Sequence, residues 1–160
     1  KEAVADYRVL VTYNGSCFDV PMLRKCLDIG LEQAHIDLRF VLAKLGFKGG
    51  LKGCERQLGI DRGGLEGLDG YDAVLLWNEF KRHNNPDALE TLLAYNVLDA
   101  VNLERLMVTA YNLQISSTPF HRSHQIDLPV PVPNPFQCHQ AVVDKIVRSR
   151  GFQSNWGNSR

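Results

Sequence analysis

Val9-Leu10-Val11-Thr12-Tyr13-Asn14-Gly15-Ser16-Cys17-Phe18-Asp19 is the stretch on which the fold turns. Its first half is apolar and β-branched and too short for a helix, which predicts a buried strand over 8–13. Asn14-Gly15 then turns the chain. Pro21 suits a first helical turn, where its missing N–H has no intrahelical partner to lose. Met22, Leu23, Cys26 and Leu27 follow at helical spacing until Gly30 ends the run. Asp19 therefore follows a strand by one turn, a place from which a side chain reaches a cleft.

Downstream, His35-Ile36-Asp37-Leu38 predicts a second strand or strand end. Phe40, Val41 and Leu45 form one face of a short helix stopped by Gly46, and Leu51 to Leu58 predicts another. Asp61 to Gly70 holds four glycines and reads as irregular. Tyr71 to His83 returns to helical spacing through Val74, Leu75 and Asn78, with Trp77 and Phe80 beside them. Asn85 and Pro86 suit an N-cap and first helical residue. The helix they start is expected to run to about Leu113, with a break or bend near Tyr95-Asn96.

After Ser116 the texture changes. Pro129-Val130-Pro131-Val132-Pro133-Asn134-Pro135 excludes helix and predicts an extended connector. Gln140 to Arg150 predicts a short helix with Val142, Val143, Ile146 and Val147 on one side, and the last ten residues are expected to be disordered. The resulting division is a domain over 1–113 and a proline-rich connector and tail over 114–160. Lys1 to Asp6 reads as the end of a helix whose beginning lies elsewhere, without an initiator Met.

Of the 160 residues, 18 are Lys or Arg and 18 are Asp or Glu, so no global positive field announces a polyanion. Residues 116–160 carry five basic and two acidic residues, a modest basic bias. The four cysteines show no C-x-x-C spacing, which argues against a zinc site and suits free thiols in a reducing compartment. No apolar stretch reaches about 18 residues. The start lacks the apolar core of a secretory signal. The expectation is a cytoplasmic protein with no membrane partner.

Tyr95-Asn96-Val97-Leu98-Asp99 supplies a second acidic element. Tyr95 lies four residues before Asp99, so the two share a face if the helix is continuous. The order of Val11-Thr12-Tyr13-Asn14-Gly15, Phe18-Asp19-Val20-Pro21, His35 to Leu38, Leu51 to Ile60, Asp69-Gly70 and Tyr95 to Asp99 resembles the ribonuclease H-like exonucleases with four acidic residues, tyrosine subclass. It is most similar to the YprB-like ribonuclease H-like domain, with kinship to the proofreading domain of family B DNA polymerases. The resemblance covers about residues 4–113.

The resemblance implies an α/β fold, ribonuclease H-like, lacking its first strands and with a helical C-terminal half. It implies 3′–5′ hydrolysis of single-stranded DNA or RNA ends with Mg²⁺ or Mn²⁺. Two such ions about 3.5–4 Å apart activate the attacking water and stabilise the leaving oxygen. By the resemblance, Asp19 and Asp99 match metal ligands, Tyr95 the residue that orients the water, Asn14 a position beside the 3′ nucleotide and Phe18 a packing position next to it. The family's first motif is Asp-x-Glu on a strand, and no Asp-x-Glu occurs in these 160 residues. Two carboxylates hold two hard cations poorly. The expectation is an incomplete two-metal site, inactive in this chain alone, with a segment or partner chain supplying the missing strands. The alternative is a non-catalytic ribonuclease H-like module that binds nucleic acid or protein.

Other residues leave bland readings open. Asp19 also suits a helix cap, Asp37 a structural role at a strand end, and Lys48, Lys52 and Arg56 either a solvated helix face or a nucleic-acid backbone contact.

Overall fold

The computed structural model describes residues 2–154. Among the described residues the order is α1 (Glu2–Ala5), β1 (Val9–Thr12), α2 (Asp19–Leu27), β2 (Ala34–Asp37), α3 (Leu38–Lys44), α4 (Gly50–Gln57), a 3-10 turn (Gly63–Leu65), α5 (Gly70–His83), α6 (Pro86–Ile115), α7 (His121–His124) and α8 (Gln140–Ser154). β1 and β2 pair in parallel, with Val9 opposite Ala34 and Thr12 opposite Asp37. A parallel pair needs a crossover, and α2 supplies it.

The chain forms two compact units. The first comprises residues 1–60 and 100–131. Its core is Leu38 and Leu42 of α3, Cys54 of α4, Ile60, and Leu106 and Ala110 of α6. Leu38 and Leu42 are four apart and so face the same way, which is why a seven-residue helix can be anchored at all. Glu55 is fully buried beside them and accepts a hydrogen bond from the Asn102 amide at 2.7 Å.

The second unit comprises residues 61–99 and the chain from Val132 onward. Leu65, Leu68, Leu76, Ala88, Ala94, Tyr95, Val142, Val143 and Ile146 make its core. Asp69 caps α5 by accepting from the Tyr71 and Asp72 N–H groups, and Asp72 reaches back to the Asp69 N–H at 2.7 Å, a reciprocal capping box. Asp72 is also fully buried and pairs with Arg150 of α8. Burying that carboxylate without the guanidinium would cost several kcal/mol, on the order expected for an unpaired interior charge.

Several expectations need correction. α6 is one unbroken helix of 30 residues, with no break near Tyr95-Asn96. Neither residue is a helix breaker, and Ala94 and Tyr95 are packed in the core, which holds that turn in place. On α5 the buried positions are Asp72 and Leu76, whereas Val74 is 52% exposed. The burial of Asp72 is made possible by its pairing with Arg150 of α8 and its bond to the Asp69 N–H. On α8, Val142, Val143 and Ile146 are buried and Val147 faces solvent. Residues 151–154 continue α8, and the expected disorder over 155–160 lies outside the described residues. Most informative is α2, which starts at Asp19 with Pro21 in its first turn, as expected, but has no buried residue. Met22 and Leu27, which fall at helical spacing, are 49% and 63% exposed. A sheet two strands wide offers little apolar surface for a helix to cover.

Candidate nucleic-acid site

The turn after β1 is organised by Asp37, the last residue of β2. Its Oδ1 accepts from the Asn14 N–H at 2.7 Å and from the Arg39 N–H at 3.1 Å. Its Oδ2 accepts from the Ser16 N–H at 3.0 Å and from the Ser16 hydroxyl. One carboxylate thus caps α3 and ties down the loop from the neighbouring strand. Burial pushes the Asp37 pKa up, but the hydrogen bonds from Ser16, Asn14 and Arg39 outweigh it, and the net direction is down. The structural reading of Asp37 is the one these contacts support.

Asn14 takes a left-handed conformation (φ 64°), which Asn tolerates better than most residues. Its side-chain oxygen accepts from Arg39 Nη1 at 2.5 Å. Gly15 is required by space: a Cβ there would lie 2.5–2.7 Å from the Thr12 side chain, whose hydroxyl accepts from the Gly15 N–H at 3.2 Å. Tyr13 lies below the turn, and burial, followed by its contact with the Cys54 thiol at 3.7 Å, raises its pKa well above the ordinary phenol range.

Beyond the turn, Phe18 is 62% exposed and Asp19 is exposed in the first turn of α2. The helix N-cap position belongs to Phe18, which makes no side-chain cap, so Asp19 is not a capping residue. Asp19 makes no side-chain hydrogen bond or ion pair among the described residues. Its charge at a helix start is favoured by the backbone dipole and remains open to solvent.

Tyr95 and Asp99 belong to the second unit. They lie four residues apart on the uninterrupted α6, as the sequence spacing requires for one shared face. Both meet Arg62. Its guanidinium donates to Asp99 Oδ1 at 2.6 Å, and its central carbon lies 5.4 Å from the centre of the Tyr95 ring. The Arg62 side chain is 2% exposed and the Asp99 side chain 26%. Tyr95 is part of the core. Arg62 is the site residue that sequence reading missed. It stands in a glycine-rich stretch 37 positions before Asp99, and nothing in its local sequence announces the pairing.

Hard divalent cations need several carboxylate oxygens converging on one point. Among the described residues no three His, Cys, Asp or Glu side chains converge that way. The Asp99 carboxylate is already neutralised by a buried guanidinium. The donors described here do not by themselves fit a two-metal site.

Comparison with known proteins supplies the frame for this geometry. Residues 1–111 match the family model described as RNase_H superfamily. The chain belongs to the RNase H superfamily. Comparison with curated proteins gave no match, and comparison with solved structures gave none either. Membership makes nucleic acid the expected partner, as nuclease substrate or as ligand. No helix among the described residues is long and apolar enough to cross a membrane.

Proposed function

We propose that this chain is part of a metal-dependent 3′–5′ exonuclease of the tyrosine subclass, YprB-like, acting on single-stranded DNA or RNA ends. In this reading Asp19, Tyr95 and Asp99 are its contribution to the site, Asn14 and Phe18 stand beside the terminal nucleotide, and an Asp-x-Glu pair comes from outside these 160 residues. The supporting observation is the Asn14–Asp19 turn. It is rigidly built by Asp37 and Gly15, and it presents Asp19 to solvent with no protein partner among the described residues. A carboxylate that served only folding would be expected to hold a donor, as Asp37, Asp69 and Asp72 all do.

One observation favours a second reading. Asp99 is held by Arg62, as a carboxylate retained for structure would be. On that reading the chain is a non-catalytic module that keeps the fold and binds nucleic acid or protein.

Degradation of a 5′-labelled single-stranded oligonucleotide in Mn²⁺ separates the two. The chain is compared with a version extended upstream of Lys1 and with its Asp19→Asn variant. Activity confined to the extended version and abolished by Asp19→Asn supports the nuclease. A folded extended version without activity supports the module. Asp19 is the better probe than Asp99, because its substitution disturbs no ion pair among the described residues.

A further inference from the structure

A cleft of about 490 Å³ opens in the first unit on the far side of the Asn14 turn, between α3 and the loop entering α4. Tyr13, Asn14, Arg39, Lys48, Gly49 and Gly50 border it, together with apolar side chains, and no acidic residue lines it. Neither Arg39 nor Lys48 has a carboxylate partner among the described residues. Asp37, at the end of β2, has both oxygens committed to Asn14, Ser16 and Arg39.

The rim is fixed. The Arg39 guanidinium is held by Asn14 at 2.5 Å and lies 5.8 Å from the Phe40 ring centre. The Lys48 carbonyl accepts from the Gln57 amide at 2.5 Å, and that amide also donates to the Gly53 carbonyl at 2.8 Å. A Cβ on Gly53 would come within 2.8 Å of the Lys48 carbonyl oxygen, so the loop sits against α4 at a distance only glycine permits. At Gly50 a Cβ would meet nothing within 4 Å, so the bare backbone there faces open space.

We propose that this cleft binds a backbone phosphate of a single-stranded nucleic acid, with Arg39 and Lys48 as its two cations and Asn14 positioning Arg39. Two cations without a carboxylate partner among the described residues, over a floor that carries no acid, suit a phosphodiester, and guanidinium in particular matches its paired oxygens. The inference rests on the nucleic-acid partner of the proposed function, and it does not require hydrolysis.

The test is fluorescence anisotropy of a labelled single-stranded oligonucleotide with the full chain in EDTA, across a salt series. Each phosphate contact contributes about 0.7 to the slope of log affinity against log salt for single strands. Lys48→Gln and Arg39→Gln each weaken binding about two- to five-fold, the range of a solvated charge pair, and each lowers that slope. Lys44→Gln makes the same charge change on α3 outside the cleft and leaves both quantities unchanged. Lys48→Gln removes no side-chain hydrogen bond among the described residues, so its result stands even if Arg39→Gln loosens the turn.

Equal losses in Lys44→Gln and Lys48→Gln, no loss in either cleft variant, or no oligonucleotide binding by the native chain would each overturn the site. Inorganic phosphate is added as competitor. Displacement at equal concentrations of phosphate and nucleotide would make this a free-phosphate site and overturn the nucleic-acid assignment. Binding that depends on Lys48 while the extended protein hydrolyses nothing overturns the nuclease reading and leaves the phosphate site standing.

Discussion

Asp19 and Asp99 are both single carboxylates on helices, yet their surroundings are opposite. Asp19 is exposed, beside a turn that Asp37 and Gly15 make rigid, and it serves no other side chain among the described residues. Asp99 is partly buried and bonded to an arginine that is itself 2% exposed and sits over Tyr95. The contrast teaches that an acid's spacing in a motif says nothing about its availability. One carboxylate is free to act on a ligand. The other must first give up a buried cation, at a cost set by the desolvation of that guanidinium.

The largest effect should come from Asp99→Ala. Removing Asp99 withdraws a bonded carboxylate from a guanidinium that is itself 2% exposed, and the expected loss is about 3 kcal/mol by urea denaturation. Adding Arg62→Met should recover much of it, because the double variant replaces both charges. A loss below about 1 kcal/mol for Asp99→Ala would place Asp99 in the same class as an open surface acid.

Asp37→Ala should follow, at about 2–4 kcal/mol, since it removes the cap of α3 and the bonds that hold Asn14 and Ser16. Its depressed pKa sets a pH dependence. The unfolded carboxyl titrates near about pH 4, and the folded one lies lower, so the unfolded state takes up the proton first. The stabilisation is therefore complete above about pH 4 and is lost as pH falls through the folded pKa, a loss the Asp37→Ala variant should not show.

Gly15→Ala should cost about 1–3 kcal/mol, because the new methyl meets the Thr12 side chain and the turn has no room to give. In the second unit, His139 accepts the opposite pH test. Its ring meets Glu90 at 2.7 Å, and that hydrogen bond, with Asp87 and Glu90 nearby, raises its pKa. The contact stabilises below the unfolded histidine pKa and is lost as pH rises through the folded one. His139→Gln should therefore reduce stability at pH 5.5 more than at pH 8.5, which parallel thermal melts would show. Asp19→Ala should be the mildest change, within about 0.5 kcal/mol of the native chain.

Much of the framework is legible in the sequence. The apolar run of β1, the Asn-Gly turn and the Asn85-Pro86 helix start all act through local backbone preferences, whereas the expected burial of β1 fails, with Val9 47% exposed and the other three residues only partly buried. The family reading rests on the order of short motifs, and the superfamily match over residues 1–111 agrees with it at that level. What was not legible depends on surfaces. Met22 and Leu27 have core periodicity, but periodicity reports a face without saying what covers it. On α5 the helical spacing is legible, but the burial of Asp72 and the exposure of Val74 depend on the partner Arg150 of α8. Arg62 and Glu55 find their partners 37 and 47 positions away, a pairing that only the folded chain reveals.

Asp99 is bonded to Arg62, and among the described residues the acids do not converge on a metal site. Titration calorimetry of the chain with Mg²⁺ tests it most directly. The account predicts no saturable binding tighter than about 1 mM, as expected where so few carboxylates converge. Sub-millimolar binding, lost in both Asp19→Asn and Asp99→Asn, would contradict it and would mean that the Arg62 pair yields to the metal.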